Sequence, residues 1–148
     1  MHFAGHGGVS AAAGVPTYAL ALEDRLLDLV TWRGMSHQTL QRRPLYFLNA
    51  CDLGQADNFS NFVDGWAPAA LDSGASGFIG GIWPLNDKAA AQAAEEFYGR
   101  MKQSLAKGPA RVSELIRDTR RQFFQTGDPT YLSYVFYGDV NLSLLPPH

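Results

Sequence analysis

The chain has 148 residues, a formal net charge of −2 and a single cysteine. This length predicts one domain, because domains usually hold about 100–200 residues. The charge is too small to build a basic face, so direct binding of nucleic acid is not expected. No apolar run reaches the roughly 18 residues of a membrane span, so no membrane partner is expected. A lone cysteine cannot form an internal disulfide, and with no signal peptide in view the chain is predicted to be cytoplasmic.

The N-terminal part of the chain begins with a short apolar run and a glycine-rich segment. His2–Ala4 predicts a short first strand. The glycines around His6 exclude a stable helix there. Tyr18–Leu22 and Arg25–Leu27 predict a small hairpin or a lead into a helix, and Asp28–Trp32 predicts a helical turn or two.

The middle of the chain holds two apolar runs that predict buried strands. Pro44–Asn49 is the clearer one, and Cys51 follows at its end. Trp66–Ser73 predicts a helix that Gly74 closes, and Gly77–Trp83 predicts the second buried strand.

The C-terminal part predicts two helices and a last strand. The first helix covers Lys88–Leu105, with Asp87 as its N-cap. The second runs from about Ala110 to Phe124, and Tyr131–Tyr137 predicts the strand. The residues of the second helix predicted to face inward are Val112, Leu115, Ile116, Thr119 and Phe123. This alternation of strands and helices predicts an α/β fold with a largely parallel sheet.

His6 and the only cysteine, Cys51, each follow a predicted buried strand, 45 positions apart. Carboxyl ends of strands are where α/β folds place their active sites. A cysteine with a histidine about 50 residues upstream is also the chain order of caspase-type proteases. A free thiol has a pKa near 8.5, so it needs a neighbouring imidazole to become a nucleophile at neutral pH. Taken singly, His6 would cap a turn and Cys51 would be a core residue, but the shared context favours a catalytic pair.

Other residues near these strand ends have more than one interpretation. The backbone N–H groups of Gly7 and Cys51 are expected to form an oxyanion hole. Trp83 either packs in the core or walls a substrate pocket, and both interpretations stay open. A peptide substrate is expected to bind in extended form near Ile82 and Trp83 by pairing with a free strand edge.

A metal site is the rival interpretation of the histidines. His2 and His6 would lie about 13 Å apart on a strand, at roughly 3.3 Å per residue. We therefore expect no shared metal ion and no cofactor.

Five segments of the chain, taken in order, resemble the CHAT domain of the caspase-like clan of cysteine peptidases. They are HFAGHG, LNACDLG, GASGFIGGIWPLND, EEFYGRM and YVFYGD. The resemblance runs from His2 to about Asp139 and implies a caspase-like fold. It also implies that His6 and Cys51 are the catalytic dyad and that Gly7 supplies an oxyanion donor beside the Cys51 amide.

The same resemblance implies further roles and partners. Asp52, Ile82 and Trp83 would contact substrate, whereas His2 would be non-catalytic. CHAT domains are often joined to tetratricopeptide repeats or other sensing modules that switch the protease on. A regulatory module of this kind is therefore an expected partner.

The chain departs from the caspase-like pattern at its N-terminus. Such a fold places further strands and helices before the histidine strand, whereas this chain begins on that strand. The domain is thus expected to be N-terminally truncated, a natural short form, or completed by another chain. The open flank of the first strand predicts pairing with a second copy in a homodimer, or with the missing N-terminal segment.

These features together predict a cysteine endopeptidase, a hydrolase that cleaves a peptide bond in a protein substrate through a Cys-His dyad. The alternative is a catalytically silent CHAT-like module that acts in interaction or as a scaffold.

Overall fold

The computed structural model describes residues 1–10, 17–36, 43–51, 59–82 and 85–147. The strands are β1 His2–Ser10, β2 Thr17–Ala21, β3 Leu26–Asp28, β4 Leu45–Cys51, β5 Gly77–Gly81, β6 Ala110–Arg111, β7 Tyr134–Gly138 and β8 Ser143–Leu144. The helices are α1 Leu29–Ser36, α2 Phe59–Asp72, α3 Asp87–Leu105 and α4 Val112–Gln125, with a 3-10 helix at Pro129–Leu132. None of the helices in these ranges has both the length and the apolar character needed to cross a membrane.

Six strands form one sheet in the order β3-β2-β1-β4-β5-β7, and β6 pairs with β8 in a small second sheet. The three central strands β1, β4 and β5 are parallel. Outside them, β2 pairs antiparallel with β1, β7 pairs antiparallel with β5, and β3 pairs antiparallel with β2. The predicted α/β fold with a largely parallel sheet between helices is confirmed, and its parallel part is the centre of the sheet.

Both faces of the central sheet are buried, which is why β4 is an apolar run rather than an alternating one. Beneath α1 and α2 the core contains Leu20, Tyr46, Leu48, Trp66 and Phe78. Beneath α3 and α4 it contains Phe47, Ile79, Phe97, Ile116 and Phe123. The five residues predicted to face inward on α4 are all buried.

The first strand is longer than predicted because β1 changes its partner at His6. His2 to His6 pair in parallel with β4, and Gly7 to Ser10 pair antiparallel with β2. The glycines that predicted a strand end are tolerated within the strand, since glycine adopts extended backbone as readily as other conformations. Among the described residues, the flank of His2 to Gly5 that faces away from β4 has no strand partner.

Two other boundaries differ from prediction. The last strand begins at Tyr134, because the residues before it form a 3-10 helix. Pro129 starts that helix, and the Asp128 side chain caps it by accepting a hydrogen bond from the Thr130 N–H. The helix predicted at Trp66–Ser73 is the second half of α2.

The N-cap of α3 is Asn86, so the prediction that Asp87 caps this helix is wrong. Asn86 has an extended backbone, with φ −73° and ψ 153°, and its Oδ1 accepts a hydrogen bond from the Ala89 N–H at 2.8 Å. Asp87 is the first helical residue. Asparagine and aspartate cap helices about equally well, so the sequence could not separate two such neighbours.

Asn86→Ala is expected to lower the free energy of unfolding by about 1 kcal/mol, because it removes the cap. Asp87→Ala is the matched control. It keeps the cap and loses only an interaction with the helix N-terminus that salt screens. Urea denaturation in 0.5 M salt measures both variants. If Asp87→Ala lowered the free energy of unfolding as much as Asn86→Ala does, the assignment of Asn86 as the N-cap would be contradicted.

Candidate active site

The backbone places His6 and Cys51 beside each other on two neighbouring central strands of the sheet. They are Cα partners, and theirs is the last pair along the β1–β4 ladder. Adjacent strands lie about 4.8 Å apart, which is within reach of two side chains that meet across a ladder. The side chain of Cys51 lies outside the part of the chain that the structure describes, so contact between imidazole and thiol stays a prediction.

His6 is exposed and lines a cavity of about 290 Å³ between the sheet and α3, which we call the His6 cavity. Its other polar lining residues are Asn49 and Asp87. The remaining lining residues are alanines and one glycine. Because those side chains are small, the cavity leaves space for a substrate group next to the imidazole.

A buried amide forms part of the wall of this cavity. Asn49 is 6% exposed, and its Nδ2 donates a hydrogen bond to the Ala90 carbonyl at 2.7 Å. The Tyr134 hydroxyl, on β7, donates to Asn49 Oδ1 at 2.6 Å. Sequence reasoning missed this network, since its members lie 41 and 85 positions from Asn49 and no local pattern connects them.

Asp87 is the second residue that the sequence analysis did not place in the site. Asn86 caps α3, so the Asp87 carboxylate is not needed for capping. Asp87 is exposed, and among the described residues its carboxylate forms no hydrogen bond or ion pair. A carboxylate in the His6 cavity favours a cationic group in any molecule bound there. The sequence did contain a signal for this role. Asn86 and Asp87 are both residue types that cap helices, and only one of them is needed as the cap, so the other was available to bind substrate.

The other predicted site residues have mixed outcomes. Gly7 is buried, directly after His6, and its Cα partner on β2 is Leu20. Ile82 is half-buried and packs against the core beneath α2, while its N–H donates to the Ser133 carbonyl at 2.9 Å. Asp52 and Trp83 lie outside the described residues. Their roles stay predictions.

Pairing of a peptide with a free strand edge near Ile82 stays a prediction, and the structure shows which nearby backbone groups are already engaged. β5 has β4 on one side and β7 on the other, so Gly77 to Gly80 are paired on both flanks. The Ile82 N–H is also engaged by Ser133. Within the described residues, these groups are thus not available to an extended substrate, whereas Ile82 can still line the cleft with its side chain.

His2 occupies an aromatic cluster rather than the His6 cavity. Its ring stacks on Phe47 at a centroid distance of 5.0 Å, and the Tyr98 ring lies at 5.3 Å. Burial against these rings, together with the charge of the chain's N-terminus, lowers the pKa of His2. The neutral imidazole is thus favoured, as a packing role requires. Within the described residues, no group of three or more His, Cys, Asp or Glu side chains is arranged to hold a metal ion.

Comparison with known proteins identifies one family. The model of the CHAT domain family matches residues 1–136. This range begins before β1 and extends into β7, so it contains His6, Cys51 and the His6 cavity. The searches of curated proteins and of solved structures gave no match.

Proposed function

The chain belongs to the CHAT domain family, whose fold is caspase-like and protease-related, and from this premise we propose that it is a cysteine endopeptidase. Cys51 is the nucleophile and His6 is the acid and base. The observation that supports the proposal most directly is the pairing of His6 with Cys51 at the end of the β1–β4 ladder. The open cavity beside His6 gives a substrate access to the imidazole.

In the proposed reaction, His6 takes the proton from the Cys51 thiol, and the thiolate attacks the carbonyl carbon of the scissile peptide bond. The backbone N–H groups of Gly7 and Cys51 donate to the oxyanion that forms. The C–N bond then breaks as the His6 imidazolium gives its proton to the leaving amine. Water attacks the resulting thioester with His6 as base, which releases the carboxylic acid and restores the thiol.

The test of this function uses the single cysteine as its reporter. An electrophilic peptide probe at neutral pH is expected to label Cys51 stoichiometrically, and intact-protein mass spectrometry counts the added probe. His6→Ala is expected to prevent the labelling, because the thiol then loses its base. Equal labelling with and without His6, and no cleavage of a peptide library, would favour a catalytically silent interaction or scaffold module.

Asp87 is expected to make the enzyme prefer substrates that place arginine or lysine in the His6 cavity. Asp87→Asn should lower kcat/KM for such peptides by about 10- to 100-fold, as expected for loss of a charge-assisted hydrogen bond. Neutral peptides should change by less than about twofold. The matched control is Glu95→Gln, which removes a charge from an exposed position on the same helix. A uniform loss over all peptides would contradict a specificity role.

The open flank of β1 supports a second prediction, about partners. Unpaired edges invite another strand, so we expect homodimers or pairing with an added N-terminal segment. A sensing module such as a tetratricopeptide array is proposed as the regulator. Turnover per chain should rise with protein concentration, together with a sedimentation shift towards dimer. A monodisperse monomer with turnover independent of concentration, unaltered by an added N-terminal segment, would show that the flank needs no partner.

A further inference from the structure

We propose that Asn49 and Tyr134 form a positioning pair that fixes the spacing between the end of β4 and the first turn of α3. This proposal rests on the proposed function and deepens it, because the two elements carry opposite sides of the candidate site. Cys51 follows Asn49 by two residues on β4, and Asp87 opens the α3 turn that contains Ala90.

The amide of Asn49 makes one hydrogen bond to β7 and one to α3. Its Oδ1 accepts from the Tyr134 hydroxyl of β7, and its Nδ2 donates to the Ala90 carbonyl of α3. Asn49 is 6% exposed and Tyr134 is 2% exposed. A buried amide that loses a partner pays a full desolvation cost, so the two bonds together hold one orientation.

A glycine lies between the two residues in the sheet. Tyr134 is the Cα partner of Gly81 on β5, and β5 lies between β7 and β4. Gly80 pairs with Leu48, which places Gly81 next to Asn49. The Tyr134 hydroxyl thus reaches Asn49 across β5, at the register position of Gly81, which carries no side chain. The bond therefore connects two strands that do not pair with each other.

The same line of contacts continues to the histidine strand. Asn49 is the Cα partner of Ala4, two residues before His6, and both residues line the His6 cavity. Asn49 thus lies where β1, β4 and α3 meet. A displacement of about 1 Å at a reacting group can reduce a rate by on the order of 100-fold. A loosened amide would change the site without removing any group that touches substrate.

The test compares Tyr134→Phe, which removes only the hydroxyl, with Tyr46→Phe. Tyr46 is also buried, but it lies on β4 and packs in the core beneath α2. We expect Tyr134→Phe to lower kcat by about tenfold or more while KM changes by less than about twofold. Its pH profile of Cys51 alkylation by iodoacetamide should shift towards that of a free thiol. Tyr46→Phe should leave both measurements unchanged.

Together with Tyr134→Phe, the variants Asn49→Ala and Asn49→Ala/Tyr134→Phe form a double-mutant cycle. If the two residues act as a unit, the double variant should lose no more kcat than Asn49→Ala alone. Urea denaturation verifies that every variant is folded under the assay conditions. A Tyr134→Phe protein that is less stable but retains its kcat and its alkylation profile would overturn the proposal and leave the pair a purely structural feature.

A failure of the proposed function is recognisable separately. In that case the unaltered chain neither cleaves peptides nor shows alkylation that depends on His6. Amide hydrogen exchange in the first turn of α3 then decides the spacing role. Exchange about tenfold faster in Tyr134→Phe than in Tyr46→Phe supports it, and equal exchange overturns it.

Discussion

Cys51→Ala is expected to reduce peptide cleavage to the background of the assay and to leave the fold intact. The thiolate is the proposed nucleophile, and the chain has no second cysteine to replace it. His6→Ala should reduce the rate of peptide cleavage nearly as much, because the members of a catalytic dyad act as a unit. The double variant should therefore be no worse than either single one. Peptide-cleavage kinetics and circular dichroism on the same preparations measure both expectations.

His2→Ala is the matched control for His6→Ala. It removes the other histidine of β1, which packs on Phe47 outside the His6 cavity. We expect it to retain turnover within about threefold, since the loss is one of packing by an exposed side chain. A His6→Ala protein with the turnover of His2→Ala would remove His6 from the reaction.

Phe47→Ala should lower the free energy of unfolding by about 3–5 kcal/mol. Phe47 is 2% exposed, and its ring lies 5.2 Å from the Phe97 ring and 5.8 Å from the Tyr134 ring. Removing it leaves a cavity beneath α3 where the surrounding elements cannot collapse freely. The loss is a large part of the 5–15 kcal/mol by which domains are commonly stable.

Phe124→Ala is the control for this change, because Phe124 is 62% exposed on α4. Its loss should stay below about 1 kcal/mol. Chemical denaturation of both variants gives the comparison. Similar losses at the two positions would mean that Phe47 is not a central packing residue.

The sequence predicted the parts of the fold that local periodicity encodes. β4 could be predicted because a strand buried on both faces is a continuous apolar run. The inward face of α4 could be predicted because a helix buried on one face has apolar residues at helical spacing. The change of partner within β1 could not be predicted, since its pairing with β4 and then β2 depends on segments that are distant in the sequence. The N-cap of α3 shows the same limit on a smaller scale. Asp87 was predicted and Asn86 is observed, because both residue types fit that position.

The candidate site divides in the same way. The adjacency of His6 and Cys51 was predicted from two strand ends at the carboxyl side of a parallel sheet. It holds through the parallel β1–β4 pairing, although β1 continues past His6 to Ser10. The roles argued for Asp87 and for the Asn49–Tyr134 pair required the spatial arrangement. A hydrogen bond between residues 85 positions apart has no signature in either local sequence.

The hydrogen bond from Tyr134 on β7 to Asn49 on β4 spans β5 at Gly81, which should make positions 49, 81 and 134 dependent on one another. A ring without its hydroxyl would leave the amide at position 49 with an unpaired acceptor, and a side chain at position 81 would stand in register between the two residues. A change that is harmful alone is thus tolerable only when its partners change with it. In relatives of this chain, these three positions should therefore covary. Substitutions at two of them together should have effects that differ from the sum of the single effects.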